Sequence, residues 1–385
     1  MKRENFQASD TLEPSLSSTD VPCTVSIIIK TLNEEKGIAT TLQSALRALK
    51  TVGGEVILAD SCSSDRTVEI ARGFPVRIVQ LTHPQERCCG VGPQLGYQHA
   101  RGEFIYLVDG DMQLLDGFLP LAIEFLRSHP AIAGVGGRVL EMNLDNPEYQ
   151  TRKDKWAQGQ PGPASRLDGG GVYRRQAIED VGYFSDRNLH SYEEFDLAAR
   201  LRSRGWELWR MPLDAVSHYG HETPALRLLW RRWRSGYLWG VGELLRASLG
   251  QPRLGLVLQE VREVRIYAAV LLWWLALAAL WLWPASLWPA SLWPGFPGFR
   301  PAAGLALLLT PVALMAWRKR SLSRGLYAVL AWSFNAAGML RGLLHRPQYA
   351  QARVDSRMLQ EADVLTPAAC QNQTCAAWSE SPYDA

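Results

Sequence analysis

The chain of 385 residues has no apolar run in its first twenty, MKRENFQASDTLEPSLSSTD, which argues against a secretory leader there. Residues 1–20 read instead as a disordered lead. Paired cysteines are also missing. The six, at 23, 62, 88, 89, 370 and 375, form no CxxC unit and no zinc-type spacing, so free thiols in a reducing compartment are expected rather than a disulfide framework. Net charge is only +3, so the total implies no nucleic-acid partner. Charged residues make up 21% against 47% hydrophobic, which excludes general disorder and suits a packed core. Acids are absent between Arg227 and Arg234, where four arginines stand, and they concentrate before Asp214.

What is present begins with TVSIIIKTLNEE, a continuous β-branched run that turns polar, as a buried parallel strand does. Ile38, Leu42, Ala45, Leu46 and Leu49 then share one helical face. GEVILADSCSSDRT repeats the strand-to-polar pattern, with a short helix expected near Val68 to Arg72, and VRIVQLT supplies a third strand. VGPQLGYQHARG reads as a glycine-opened helix and EFIYLVDGD as a fourth strand. This alternation implies an α/β domain, a parallel sheet with helices on its faces, whose ligands lie beyond the carboxyl ends of the strands. Three of those ends carry Asn33-Glu34, Asp60 and Asp109-Gly110-Asp111, and the coincidence places a site. Asp and Gly are ordinary turn residues, but two carboxylates one residue apart at a strand end can share a divalent cation. AGVGGRVLE and RLDGGGVYRR continue the domain as strands or turns, with Gly170 and Gly171 expected to admit a closely approaching ligand. HSYEEFDLAARLRSRGW reads as an acid-opened helix ending at Gly205, and WELWRMPLDAVSHYGHE as a strand pair.

The second half changes character. Residues 222–250, with PALRLLWRRWRSGYLWGVGELLRASL, interleave leucine and tryptophan with arginine, the composition of an amphipathic helix in a membrane interface. IYAAVLLWWLALAALWLW, residues 266–283, has no charge and meets the length for a span, and PAAGLALLLTPVALMAW, residues 301–317, is a shorter second candidate. The Trp- and Pro-rich stretch between them is expected to turn at the far interface, and RKRSLSR after them belongs on the cytoplasmic side. A third segment, 325–340, either spans or lies in the interface, and the charges that follow it disfavour a simple third crossing. The expected topology is a multi-pass inner or plasma membrane protein with its first domain in the cytoplasm. Residues 251–346 form its membrane region. Residues 347–385 read as a loose polar tail, whose Asn372-Gln373-Thr374 sequon has no meaning in the cytosol.

Taken in order from about Val25 to His221, the segments VSIIIKTLNEE, ILADSCSSDRT, GYQHARGEFIYLVDGDM, GGGVYRR and YEEFDLAARLRSRGW resemble the family 2 inverting glycosyltransferases. The resemblance implies a GT-A (Rossmann-like) nucleotide-diphospho-sugar transferase domain over residues 21–221. It implies that Thr31, Asn33 and Glu34 line the nucleotide pocket, that Asp60 accepts hydrogen bonds from the base, and that Asp65 supports that loop. Asp109 and Asp111 would form the DXD element, touching ribose and a diphosphate bound to Mg²⁺ or Mn²⁺. His218 stands where many members place a further metal or phosphate ligand, and His221 competes with it. The acids before Asp196-Leu197 would supply the catalytic base, Glu194 or, next to it, Glu193; acids at a helix start also suit its dipole.

Five positions depart from the family pattern. Lys30 replaces a usual Pro, Pro93-Gln94 stands where Arg-Asn is common, and Glu194 is a methylene longer than the usual Asp. Leu229 opens Leu229-Trp230-Arg231-Arg232-Trp233 where processive synthases carry Gln, which argues against a processive polysaccharide synthase. The implied reaction moves one sugar from a nucleotide-diphosphate donor, a UDP-sugar by default and GDP-mannose otherwise, to a lipid-linked or membrane-proximal glycan acceptor. Arg231 or Arg234 could neutralise phosphates or bind anionic headgroups. A catalytically inactive membrane scaffold is the alternative from another class, and retention of the aspartates and paired acids argues against it.

Overall fold

The computed structural model describes residues 23–143, 161–220, 223–282 and 299–367. The expected lead at 1–20, His221, most of the Trp/Pro-rich connection, Cys370, Cys375 and the sequon lie outside these residues.

β1 (Val25–Thr31), α1 (Ile38–Val52), β2 (Gly54–Asp60), α2 (Thr67–Ala71), β3 (Arg77–Leu81), α3 (Val91–Tyr97) and β4 (Phe104–Asp109) alternate as the sequence predicts. β2 and β4 flank β1 in parallel register, and β3 pairs parallel with β2. β1 is buried on both sides, which is why it reads as an unbroken apolar run. Ile27 and Ile29 pack with Leu42 and Leu49 of α1, while Ile28 packs with Val91 and Leu95 of α3 on the opposite face. Each such side chain contributes about 1.5–3 kcal/mol by leaving water.

β5 (Met112–Leu114), α4 (Phe118–Ser128), β6 (Ile132–Glu141), β7 (Gly162–Pro163), β8 (Val172–Arg174), α5 (Arg175–Asp180), α6 (Glu193–Ser203) and β9 (Glu207–His218) complete the first domain. Helix α4 was not expected from the sequence; it opens at Gly117, whose φ of 88° suits glycine. The expected strand pair at WELWRMPLDAVSHYGHE is one twelve-residue strand, β9. It survives Pro212 because the β6–β9 register shifts between Arg210 and Asp214, so no ladder hydrogen bond is asked of the proline.

The tail expectation is corrected too. Residues 349–367 are not loose: β10 (Ser356–Gln360) pairs antiparallel with β3 and closes that sheet edge. Val354 is fully buried, Leu365 exchanges two backbone hydrogen bonds with Gly54, and Glu361 reaches the buried Arg77 guanidinium at 2.7 Å. The whole sheet runs β10-β3-β2-β1-β4-β8-β6-β9-β5, with β7 on β9.

Beyond it come α7 (Ala225–Arg234), α8 (Gly240–Ser248), α9 (Leu254–Glu260), α10 (Arg262–Leu282), α11 (Phe299–Lys319) and α12 (Leu322–Leu344). The amphipathic region expected as one helix is broken at Gly236, whose φ is 78° and where a Cβ would press on the His190 ring at 2.7 Å. α7 exposes Leu226 and Trp230 and turns Trp233 edge-on to Phe334 of α12. Among the described residues two helices, Arg262–Leu282 and Ala302–Lys319, are long and apolar enough to cross a membrane. Pro311 deprives the Leu307 carbonyl of its helical donor, and the Trp273 indole N–H of α10 takes that carbonyl at 2.9 Å.

α12, which contains the third expected segment, is one unbroken helix held against α8 by glycines. A Cβ on Gly242 would run into the Met339 carbonyl, and one on Gly342 into that of Trp239. Gly242→Val is therefore expected to destabilise the protein by about 3 kcal/mol, read as a lowered Tm in detergent, because both neighbours are backbone that cannot swing away.

Candidate active site

The loops after β1 and β2 are stapled to one another. Asn33 adopts a φ of 62° and its Oδ1 accepts from Ser64 N at 2.7 Å, while Glu34 N donates to Thr67 Oγ1 and Glu35 N to Asp65 Oδ2. Asp65 also accepts from Thr67 N at 3.0 Å, and although burial opposes it, these hydrogen bonds hold its carboxyl below the usual range. Asp60 is fully buried at the end of β2. Its Oδ2 accepts from Gln80 Nε2 at 2.7 Å and Ser63 N at 3.0 Å, and Thr31 Oγ1 lies 3.4 Å from its Oδ1.

At the end of β4, the Asp109-Gly110-Asp111 turn is built around its glycine. A Cβ on Gly110 would meet Glu34 Cγ and Thr31 Cγ2 at 2.8 Å, and the Gly110 carbonyl accepts from Thr41 Oγ1 at 2.9 Å. Asp109 is tied to the acid pair by Lys30, whose Nζ lies 3.1 Å from Asp109 Oδ1 and 3.1 Å from Glu193 Oε1. The residue that departs from the family pattern is thus the link between two strand ends and α6. Desolvation works against the Lys30 charge, but Asp109 and Glu193 prevail and hold its pKa well above the ordinary value.

Tyr192, with a φ of 68°, turns the chain into α6 and presents Glu193 and Glu194 on its first turn. Glu194 Oε1 accepts from Gly169 N at 3.0 Å. Burial raises its carboxyl to about 8, with Lys30 pulling the other way and Glu193 adding to the rise. The glycine run serves this acid rather than an acceptor. The space beside Gly170 and Gly171 is filled by Val216, Tyr173 and Leu167, so the expectation of a ligand against that backbone is corrected: the protein's own side chains make the close approach.

β5 and β9 pair Met112 with His218, and β6 and β9 pair Glu141 with His218. This register sets His218 between two carboxylates, Nε2 3.3 Å from Asp111 Oδ2 and Nδ1 2.7 Å from Glu141 Oε2. Burial opposes the imidazolium, yet the hydrogen bonds to Asp111 and Glu141 lift it to about 10. Glu34 faces the same group; burial and then Asp111, Asp109 and Asp65 raise it to about 8.

Of these side chains, Asn33, Glu34, Asp65 and Asp111 line an open cleft of about 1210 Å³, with Asn143 and Arg231 among others. Arg231 of α7 reaches it, whereas Arg234 is exposed to solvent and is not on its wall. Sequence reading missed Glu141, which has the same signature as the other candidates, an acid at the end of an apolar strand, and treated Lys30 only as an anomaly.

The donor set fits a divalent cation bound together with a diphosphate. The described residues contain no group of three or more His, Cys, Asp or Glu disposed to hold a metal by themselves. Mg²⁺ and similar ions usually take one or two carboxylates and draw the remaining oxygens from substrate phosphates. His218 turns one ring nitrogen toward Asp111 and has the other held by the buried Glu141 carboxylate, the far-side hydrogen bond that a ligating histidine would need.

Comparison with known proteins bears on the fold. Residues 26–182 match the model of Glycosyl transferase family 2. The low-salt glycan biosynthesis hexosyltransferase Agl6 of Haloferax volcanii is 32% identical over 125 residues, 32% of this chain and 29% of its own. The succinoglycan biosynthesis protein ExoA of Rhizobium meliloti is 23% identical over 323 residues, 78% of this chain and 95% of its own. The chain thus spans under a third of Agl6 and nearly all of ExoA. The mannosyltransferase PcManGT from Pyrobaculum calidifontis, solved in complex with GDP-Man and Mn²⁺, aligns at TM-score 0.54 and 18% identity over 84% of this chain and 88% of that one, a likeness of fold. The first domain has the GT-A fold, and residues 26–182 within it match glycosyl transferase family 2.

Proposed function

We propose that the protein is a metal-dependent inverting hexosyltransferase that moves one sugar from a nucleotide-diphosphate donor to a hydroxyl of a lipid-linked or membrane-proximal glycan. The observation that carries this reading is the convergence of Asp109, Asp111 and His218 with Glu193 and Glu194, joined through Lys30, at one end of the sheet. A hydroxyl is a poor nucleophile, and Glu194 takes its proton as it attacks the anomeric carbon. Gly169 N–H fixes one oxygen of that carboxylate. Asp111 and His218 would hold a divalent cation, which when bound would offset the charge developing on the leaving diphosphate. Arg231 supplies further positive charge on the cleft wall. Asn33, Glu34 and Asp65 shape the nucleotide side. α10 and α11 cross the membrane with the first domain in the cytoplasm, and the arginines of α7 lie at headgroup level beside the cleft.

Thermal-shift screening of UDP- and GDP-sugars with and without Mn²⁺ tests the donor class: one donor is expected to raise Tm, and only with metal. No shift with any nucleotide would sink the transferase reading. The pH profile follows from the base. Glu194 must be ionised to accept a proton, and its carboxyl sits near about 8, so kcat/KM rises with pH and levels off above that value. Glu34 sits in the same range, so the control is Glu34→Gln, which should keep the rising limb, whereas Glu194→Gln should lose it.

A further inference from the structure

We infer that the C-terminal strand β10 orients Asp60, read above as the acceptor for the nucleobase, through Arg357 and Gln80. The register places Arg357 opposite Gln80 on β3, Gln80 opposite Asp60 on β2, and Asp60 opposite Thr31 on β1, one row across four adjacent strands. Hydrogen bonds run along it. Arg357 Nε donates to Gln80 Oε1 at 2.8 Å, with Nη2 on the same oxygen, and Gln80 Nε2 donates to Asp60 Oδ2 at 2.7 Å. Chemistry fixes which way the amide points. A guanidinium only donates and a carboxylate only accepts, so the Gln80 oxygen must face Arg357 and its NH₂ must face Asp60. Without Arg357 that amide loses one of the two partners that select its orientation, and the donor it presents to Asp60 is held less firmly.

Gln80 also commits Asp60 Oδ2 to the protein and leaves Oδ1, with only the long contact to Thr31 and a shared one to Ser63 N, as the oxygen with acceptor capacity to spare. The strand is anchored at both ends. Val354 exchanges hydrogen bonds with the Gln98 side chain at 3.0 and 2.7 Å, and Leu365 pairs with Gly54. Arg357 and Gln80 are positioning residues, acting on the donor through Asp60.

This inference rests on the reading of Asp60 as the acceptor for the base, and its test separates the two. Binding of UDP and GDP to the full chain in detergent with Mn²⁺ is measured by titration calorimetry, beside transfer kinetics, for Arg357→Ala, Gln80→Leu, the double variant and Asp60→Asn. Arg357→Ala and Gln80→Leu are each expected to raise Kd and donor KM by about two- to tenfold while kcat at saturating donor stays unchanged. The double variant should be no worse than Gln80→Leu alone, since one break already interrupts the row. Arg357→Lys, which keeps one donor, should recover part of the affinity. A merely stabilising role would lower Tm and leave Kd of the folded protein alone, and that result overturns the proposal. So does multiplication of the two single effects. Loss of affinity in Asp60→Asn with none in the other two overturns the relay and keeps the Asp60 reading; wild-type affinity in Asp60→Asn removes both.

Discussion

Glu194→Gln is expected to leave donor binding intact and to lower kcat for transfer by about a thousandfold. The substitution keeps size and shape, and the new side-chain carbonyl can still accept from Gly169 N, so the start of α6 should not move. What it removes is the only property the reaction needs there, an oxygen able to take a proton. Glu193→Gln should behave differently. Its carboxylate is engaged with Lys30, which retains Asp109 as a partner, so the expected loss is about tenfold, through disturbed positioning. Initial rates with each variant, beside the donor Kd, decide which acid is the base. Glu194→Asp shortens the side chain to the family's usual length, and partial activity there would show how far the acceptor sits from α6. Full transfer activity in Glu194→Gln would instead exclude Glu194 as the base.

Much of this site was legible because local pattern specified it. The apolar runs of β1, β2 and β4 end where their polar loops begin, so Asn33, Glu34, Asp60, Asp109 and Asp111 converge once a parallel sheet is assumed. Elements specified by long-range pairing were not legible. Glu141 acquires its part only because β6 lies parallel to β9 with Glu141 beside His218, a register interrupted by shifts that no periodicity encodes. β10 looked polar because its side chains serve an edge, with Arg357, Met358 and Glu361 answering Gln80, the β3 edge and Arg77 rather than a core. The glycine run misled in an instructive way. Its missing Cβ atoms do admit a close neighbour, but that neighbour is Tyr173 or Val216, and sequence alone cannot distinguish a ligand from the protein's own side chain. Lys30 carried a signal that was read only as a deviation; an isolated cation among strand-end acids is itself a reason to expect a bridge.

The Asp111 side of the cleft supports an equally large prediction. Asp111→Ala should lower kcat/KM by about a thousandfold, since a cation stabilising the leaving diphosphate contributes several kcal/mol and each 1.36 kcal/mol is a factor of ten. Chelation of the wild-type protein should do the same, and added Mn²⁺ should restore it. Glu141→Gln separates metal binding from charge in general. Its side chain is buried and 2.7 Å from His218 Nδ1, where a glutamine oxygen can still hold the ring but no longer strengthens it as a ligand. The expected result is a requirement for about 10–100 times more Mn²⁺ to reach half-maximal rate, with kcat recovered at saturation. The histidine adds a pH dependence to metal binding. As long as Asp111 and Glu141 keep it protonated to about 10, a cation must displace that proton to reach Nε2, so apparent Mn²⁺ affinity should strengthen as pH rises toward that value. His218→Gln removes the displaced proton and should flatten that slope. A transfer rate indifferent to chelator, together with an active Asp111→Ala, would leave Asp109-Gly110-Asp111 as a structural turn and require another source of charge for the departing diphosphate.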